Sequence, residues 1–342
     1  MLSMTPPSLG DIEAARPRVH ARLKPTPLMR HPLLDEWLGC AAWVKHENHQ
    51  PTGSFKVRGG VNLIAQLTED ERNRGIVSAS TGNHGQSMAF ACRVQGRPAD
   101  ADRPAGAGSS GRFAARPVPC RIFVPVGNNP DKTASMRALG AIVVEHGRDF
   151  DEAREHVEAV APREGWRYVH SANEPQLIAG VGTLALEIFD ELPDVDYIFT
   201  PVGGGSGAAG CCIARTGRGS RAKVIGVQAA GAPAFARSFR GPSRVTTEQA
   251  LTFADGIATR TSYDLTFDIL KPELDDVVLL EEEELREGVR AALRLTHNLA
   301  EAAGASPLAA AYKSRAMLAG KKVVCVMTGG NIDAATLRSV VC

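Results

Sequence analysis

Short β-branched runs alternating with helical patterning constrain this chain more than any other feature. The runs lie at 75–80, 121–125, 141–145, 196–200, 223–227 and 322–327. Between them come stretches such as 149–161, where Ala153, Val157 and Val160 recur at spacings of four and three, and 281–299 with its acidic start. The runs read as buried parallel strands. Alternating β and α elements imply an open, mostly parallel sheet flanked by helices. Ligands of such sheets bind at the carboxyl ends of the strands, in the turns that lead into helices.

Length and charge narrow the classes. A chain of 342 residues suggests two domains. Thirty-nine Lys and Arg against thirty-eight Asp and Glu leave a net charge of +1, which argues against nucleic acid or an acidic membrane surface as partner. No apolar run approaches the ~20 residues of a membrane span. The first twenty-two residues carry Pro6, Pro7, Asp11 and Glu13 where a secretory signal needs a basic stretch and an apolar core, so a cytoplasmic protein is expected. The seven cysteines are odd in number and scattered, with no pair two residues apart, which speaks against a disulfide framework or structural zinc.

One segment breaks the alternation. Residues 97–119 are rich in Pro, Gly, Ala and Ser without strand or helix periodicity, and read as a flexible surface insertion after a helix at 87–96.

Four polar, glycine-containing turns stand at or beside strand ends. The run at 201–210, Pro-Val-Gly-Gly-Gly-Ser-Gly-Ala-Ala-Gly, follows one strand and opens a helix. Without β-carbons, Gly203, Gly204, Gly205 and Gly207 let backbone N–H groups approach phosphate oxygens, Ser206 adds a hydroxyl, and the helix N-terminus adds partial positive charge. No Lys-Ser or Lys-Thr follows, so it is not a P-loop, and taken alone it could be only a tight strand-to-helix turn. The run at 47–60 places Lys56 after Pro-Thr-Gly-Ser-Phe, where desolvation beside Phe55 and Val57 would fit the amine to condense with an aldehyde. A solvated surface lysine is the plain alternative. At 78–86, Ser80, Thr81, Gly82, Asn83 and His84 form a turn able to hold a carboxylate, or a helix cap and nothing more. The last strand runs into Thr328-Gly-Gly-Asn331.

Taken together and in this order, Pro-Thr-Gly-Ser-Phe-Lys56, Ser-Thr-Gly-Asn83-His, the glycine loop and Thr328-Gly-Gly-Asn resemble the fold-type II pyridoxal-phosphate enzymes, and within them the threonine/serine dehydratase and serine racemase group. The resemblance runs from about Pro25 to Asp333 and leaves out only the 97–119 insertion. It implies the tryptophan synthase β-like fold, with two open twisted sheets. A large cofactor domain would span 1–52 and 149–342, and a small domain 53–148. It also implies pyridoxal 5'-phosphate held on Lys56 as a Schiff base. Phe55 would pack near the ring, Asn83 on its 3-oxygen, Gly203 to Gly207 with Ser206 on its phosphate, and Thr328 at the pyridine nitrogen. Ser80, Thr81, Gly82, Asn83 and His84 would bind the substrate carboxylate, Glu301 would lie near the ring, and the assembly would be a homodimer.

A neutral hydroxyl at the pyridine nitrogen makes the ring a weaker electron sink than an aspartate would, which favours β-elimination over transamination. The implied function is therefore an ammonia-lyase acting on a β-hydroxy-L-amino acid such as threonine, serine or a 3-substituted serine. Thr81 opens a racemase alternative, because racemases of the group carry a hydroxyl residue there. A β-replacement synthase and a non-catalytic cofactor-binding protein are the other readings. Gln228 stands where the group often has a metal-binding glutamate, so no divalent site is expected there.

Overall fold

The computed structural model describes residues 4–95 and 117–342. Most of the expected insertion therefore lies outside the described residues. The chain divides into two compact units, Met1–Gly59 with Ala172–Cys342, and Gly60–Ser171.

In the larger unit six strands form one sheet: β1 (Leu28–Arg30), β2 (Ala41–His46), β7 (Tyr197–Pro201), β8 (Lys223–Ala229), β9 (Asp276–Leu280) and β10 (Lys322–Met327). Their spatial order is β1-β2-β10-β7-β8-β9, with only β1 antiparallel to its neighbour. The central strands are apolar on both sides because both faces are covered. On β10, Val323, Cys325 and Met327 join one core, and Val324 and Val326 the other. Helices Glu282–Thr296 and Ala302–Lys313 supply the first core, and helices Leu9–His20, Pro175–Glu191 and Ser206–Gly217 the second. Fully burying a Val side chain of this kind contributes on the order of 2 kcal/mol. Helices Pro175–Glu191 and Ser206–Gly217 approach closely because Gly210 lacks a side chain: a Cβ there would stand 2.7 Å from the Gly182 Cα.

The smaller unit holds four parallel strands in the order β5 (Ile142–Glu145), β4 (Cys120–Val124), β3 (Ile76–Ala79) and β6 (Arg167–Tyr168). Helix Phe150–Glu164 seats Ala153, Val157 and Ala161 against Val77, Ala79 and Phe123. That packing, with the pairing of β6 to β3, carries this unit to Ser171, past the boundary at 148 expected from sequence. At the other end the division falls after Gly59, within the helix Lys56–Ala65, where 52 was expected. One strand expectation needs correction: β5 is an edge strand, not a buried one, and Ile142 is 54 % exposed.

Both sheets reverse their direction of growth once, and each reversal falls beside a turn singled out above. From β7 the large sheet builds outward through β8 and β9, then returns to place β10 on the other side of β7. The small sheet builds from β3 through β4 to β5, then sets β6 on the opposite side of β3. Where chain paths leave neighbouring strands in opposite directions, a crevice opens at the carboxyl ends. The glycine loop and Thr328 sit at the first such point, and the Ser80–Asn83 turn at the second. No helix among the described residues is long and apolar enough to cross a membrane.

Candidate active site

Strand β2 runs into a single 3-10 turn, Glu47–His49, and the chain then reaches Lys56 through a loop clamped to the end of β10. Ser54 bridges Gly329, the Phe55 N–H donates to the Thr328 carbonyl at 3.0 Å, and the Gly330 N–H donates to the Gly53 carbonyl at 2.9 Å. The Asn331 side chain donates to the Thr52 carbonyl at 2.8 Å. Gly53 is required here, with φ at +63° and space for a Cβ only 2.7 Å from Asn331 Oδ1. Lys56 is the first residue of helix Lys56–Ala65. Its Nζ lies 3.0 Å from Ser206 Oγ and 5.3 Å from the centre of the Phe55 ring. Desolvation lowers the amine from 10.5 to about 8, so a usable fraction is neutral near physiological pH. Lys56 is half-buried rather than a fully solvated surface lysine.

The glycine loop leaves β7 and opens the twelve-residue helix Ser206–Gly217. Gly205 caps it in the left-handed region at φ +85°. A Cβ on Gly203 would stand 2.3 Å from the Gly256 carbonyl oxygen, and one on Gly207 would stand 3.0 Å from the Phe55 ring. Thr266 Oγ1 donates to the Gly204 carbonyl at 2.8 Å and braces the loop from outside. Side chains are thus kept off a row of backbone amides at a helix N-terminus, which suits a multiply charged oxyanion. Thr328 is buried at the neighbouring strand end. Glu301 is also buried; its N–H donates to the Gly329 carbonyl at 3.1 Å, and its Oε1 stands 2.3 Å from where a Gly329 Cβ would be. The larger unit therefore gathers Phe55, Lys56, Ser206, the glycines, Thr328 and Glu301 at one sheet edge.

In the smaller unit the turn after β3 begins helix Asn83–Val94. Ser80 Oγ accepts from the N–H groups of Gly82 at 3.1 Å and Gly85 at 2.9 Å, so this hydroxyl shapes and caps the turn. His84 Nε2 meets Ser78 Oγ at 2.9 Å, and Ser78 in turn donates to the Val169 carbonyl at 2.6 Å. That edge of the imidazole is engaged within the small sheet. Thr81 and Asn83 are half-buried in the turn. Sequence reasoning missed Lys132, which is buried on helix Pro130–Ala138, with its Nζ 3.6 Å from where a Gly82 Cβ would stand. The available signal was Asn129-Pro130, a helix start at the carboxyl side of β4, the same edge of the same sheet.

Gln228 is fully buried, and its Oε1 accepts from the Ala236 N–H at 3.0 Å, tying β8 to helix Ala234–Arg240. Among the described residues no three metal-ligating side chains gather.

Residues 20–329 match the family model described as "Pyridoxal-phosphate dependent enzyme". The chain belongs to that family. It is 37 % identical over 326 residues to the L-threonine ammonia-lyase of Thermotoga maritima, covering 95 % of this chain and 76 % of that protein. It is 31 % identical to the catabolic L-threonine dehydratase of Escherichia coli strain K12, covering 96 % of this chain and 94 % of that protein. Among solved structures, the serine racemase of Dictyostelium discoideum superposes with a TM-score of 0.83 at 30 % identity, over 96 % of this chain and 99 % of that one. As a pyridoxal-phosphate dependent enzyme, the chain presents a cradle that fits its cofactor: amides without side chains for a phosphate, a lysine of lowered basicity, and Phe55 beside both.

Proposed function

We propose that this enzyme is an ammonia-lyase that removes water from a β-hydroxy-L-amino acid, threonine or serine, and delivers a 2-oxo acid and ammonia. The observation that carries the reading is the Lys56 amine, lowered to about 8, against the first residue of the glycine-cradled helix. Extended likeness to threonine ammonia-lyases supports the choice of reaction. Pyridoxal phosphate, when bound, supplies the electron sink that acidifies the substrate Cα–H.

The residues divide the remaining work. Backbone amides from Gly203 to Gly207, with Ser206, would hold the phosphate, Phe55 would pack near the ring, Asn83 would bond its 3-oxygen, and Thr328 would face the pyridine nitrogen without protonating it. Lys56 takes the α-proton of the bound amino acid on Nζ as a general base. The β-hydroxyl leaves with a proton as water, and the enamine released hydrolyses to the 2-oxo acid and ammonia. Ser80, Thr81, Gly82, Asn83 and His84 hold the substrate carboxylate. The Nε2 edge of His84 is engaged by Ser78 and faces away from that task.

Racemisation is the second reading, favoured by the hydroxyl of Thr81 and by the likeness to a serine racemase. The same proposal has the enzyme act as a cytoplasmic homodimer, and its seven unpaired cysteines suit a reducing compartment. The test is a panel of β-hydroxy amino acids given to purified protein, with 2-oxo acid, ammonia and the D-enantiomer all quantified beside a Lys56→Ala control. Stoichiometric 2-oxo acid and ammonia, absent in the control, support the lyase. D-amino acid without ammonia moves the case to a racemase, and a new amino acid formed only with added thiol moves it to a synthase.

A further inference from the structure

Two residues beyond Lys56 the helix carries Arg58, whose guanidinium has no exposed surface. It is held by two buried carboxylates. Arg58 Nε and Nη2 donate to Glu47 at 2.7 and 2.8 Å, and Nη1 and Nη2 donate to Glu187 at 2.7 and 2.8 Å. Lys45 Nζ, equally buried, donates to Glu187 and to the Thr26 carbonyl, both at 2.6 Å. The cluster thus joins the end of β2, the 3-10 turn Glu47–His49, helix Pro175–Glu191 and the first turn of helix Lys56–Ala65. Two cations face two anions, a sum of zero. The other titratable groups turned toward it are His20, from helix Leu9–His20, at 2.9 Å from Glu187, and the Cys211 thiol of helix Ser206–Gly217, which burial and then Glu47 push up to about 12.

Such a cluster calls for a reason other than stability. Desolvating four charges costs about as much as their attraction returns, and apolar side chains of the same volume would often serve as well. Its position supplies the reason. The residue before Lys56 is pinned to β10 through the Thr328 carbonyl, and the second residue after it is pinned by four charge-assisted hydrogen bonds. We propose that Arg58 is a positioning residue: with Glu47, Glu187 and Lys45 it fixes the start of the Lys56 helix in a cluster that itself adds no net charge to the surroundings of the Lys56 amine. The inference rests on Lys56 being the reacting amine. Burial lowers the basicity of that amine.

Removing Arg58 leaves one negative charge in excess, which holds a proton on Lys56; removing Glu47 leaves one positive charge in excess, which expels it. Removing both restores the balance. The test compares Arg58→Gln, Glu47→Gln, the double variant and Arg58→Lys in the full chain, each checked for folding by circular dichroism. Two pH midpoints are read: that of kcat in the cofactor-loaded enzyme, and that of the rate at which stripped protein takes up pyridoxal phosphate. Arg58→Gln is expected to raise both midpoints by about one unit, the order of magnitude of one uncompensated charge in an effective dielectric of ~20. Glu47→Gln is expected to lower them, and the double variant to return them toward the starting values. Arg58→Lys keeps the charge but loses the fork, so it should lower kcat with the midpoints unmoved. Folded single variants with unchanged midpoints, or a double variant displaced like one of the singles, overturn the proposal. Should Arg58→Gln not fold, the downward shift in Glu47→Gln decides alone. A Lys56→Ala protein that still takes up cofactor with the same pH dependence would instead overturn the underlying assignment of Lys56.

Discussion

Lys56 Nζ stands 3.0 Å from Ser206 Oγ, so the amine of one helix start faces the hydroxyl of another. Both starts lie at the carboxyl ends of sheet strands, and the amine is lowered to about 8 by desolvation. General-base work needs its neutral form. Turnover is therefore expected to rise with pH through about 8 and then level, because a folded-state value below that of free lysine leaves the base protonated on the acid side. Initial rates with saturating substrate across pH 6 to 10 check this. A profile flat between pH 7 and 9 would remove Lys56 from the proton transfer.

The glycine loop tolerates no side chain at Gly203, where a Cβ would stand 2.3 Å from the Gly256 carbonyl oxygen. Gly203→Ala is expected to displace the loop and weaken cofactor binding by roughly tenfold or more, the ratio that 1.4 kcal/mol of strain produces. Titration of the visible absorbance with pyridoxal phosphate measures the change. Unaltered affinity would mean the phosphate sits elsewhere.

Burial pushes the Glu187 carboxyl upward, yet Arg58 and Lys45 draw it down to about 2. With the folded value below the unfolded one, its contribution to stability is complete above about pH 4.5 and disappears as the pH falls toward 2. Glu187→Gln should cost ~3–5 kcal/mol near neutrality by leaving buried cations short of a partner, and should flatten the acid limb of the stability curve. Urea unfolding at pH 7, 5 and 3 compares the two proteins. Equal losses at pH 7 and pH 3 would contradict the ion-pair account.

Six cysteines are buried and Cys342 is exposed. A thiol reagent should modify about one cysteine per native chain quickly and all seven after denaturation, since the other six are shielded and burial also raises Cys40, Cys211, Cys212 and Cys325 away from the reactive thiolate. Fewer than seven in denatured, unreduced protein would reveal a disulfide.

Lys132 places its ammonium beside Gly82 in the turn proposed to hold the substrate carboxylate. Lys132→Met is expected to raise KM for the amino acid about tenfold, with a smaller change in kcat. An unchanged KM would separate this lysine from the substrate.

The motif-bearing turns were legible because their chemistry is local: glycines, a hydroxyl and a lysine next to a strand run announce themselves in ten residues. Four strands were not. In β2, Lys45 and His46 break the apolar pattern, and only the distant Glu187 and the Thr26 carbonyl make a buried lysine acceptable there. The two-residue β6 is too short to show a period, and the three-residue β1 hardly longer. Asp276 opens β9 on the heels of helix Asp264–Glu273, where no glycine marks the change. Arg58 and Glu47 were in plain view within the lysine motif, yet their partner Glu187 is 129 residues from Arg58, a pairing that no local pattern encodes. Lys132 was invisible for a like reason, being brought to Gly82 by the pairing of β3 with β4.

The place of β10 between β2 and β7 bears on how the chain assembles during synthesis. The smaller unit is one continuous stretch, Gly60–Ser171, and can complete its parallel sheet as soon as it clears the ribosome. Strand β2 emerges long before it and must wait, one edge unpaired, for a partner some 280 residues downstream. Until that partner arrives, the exposed edges of β2 and β7 are open to wrong pairing, and the late-emerging β10 acts as the keystone that closes them.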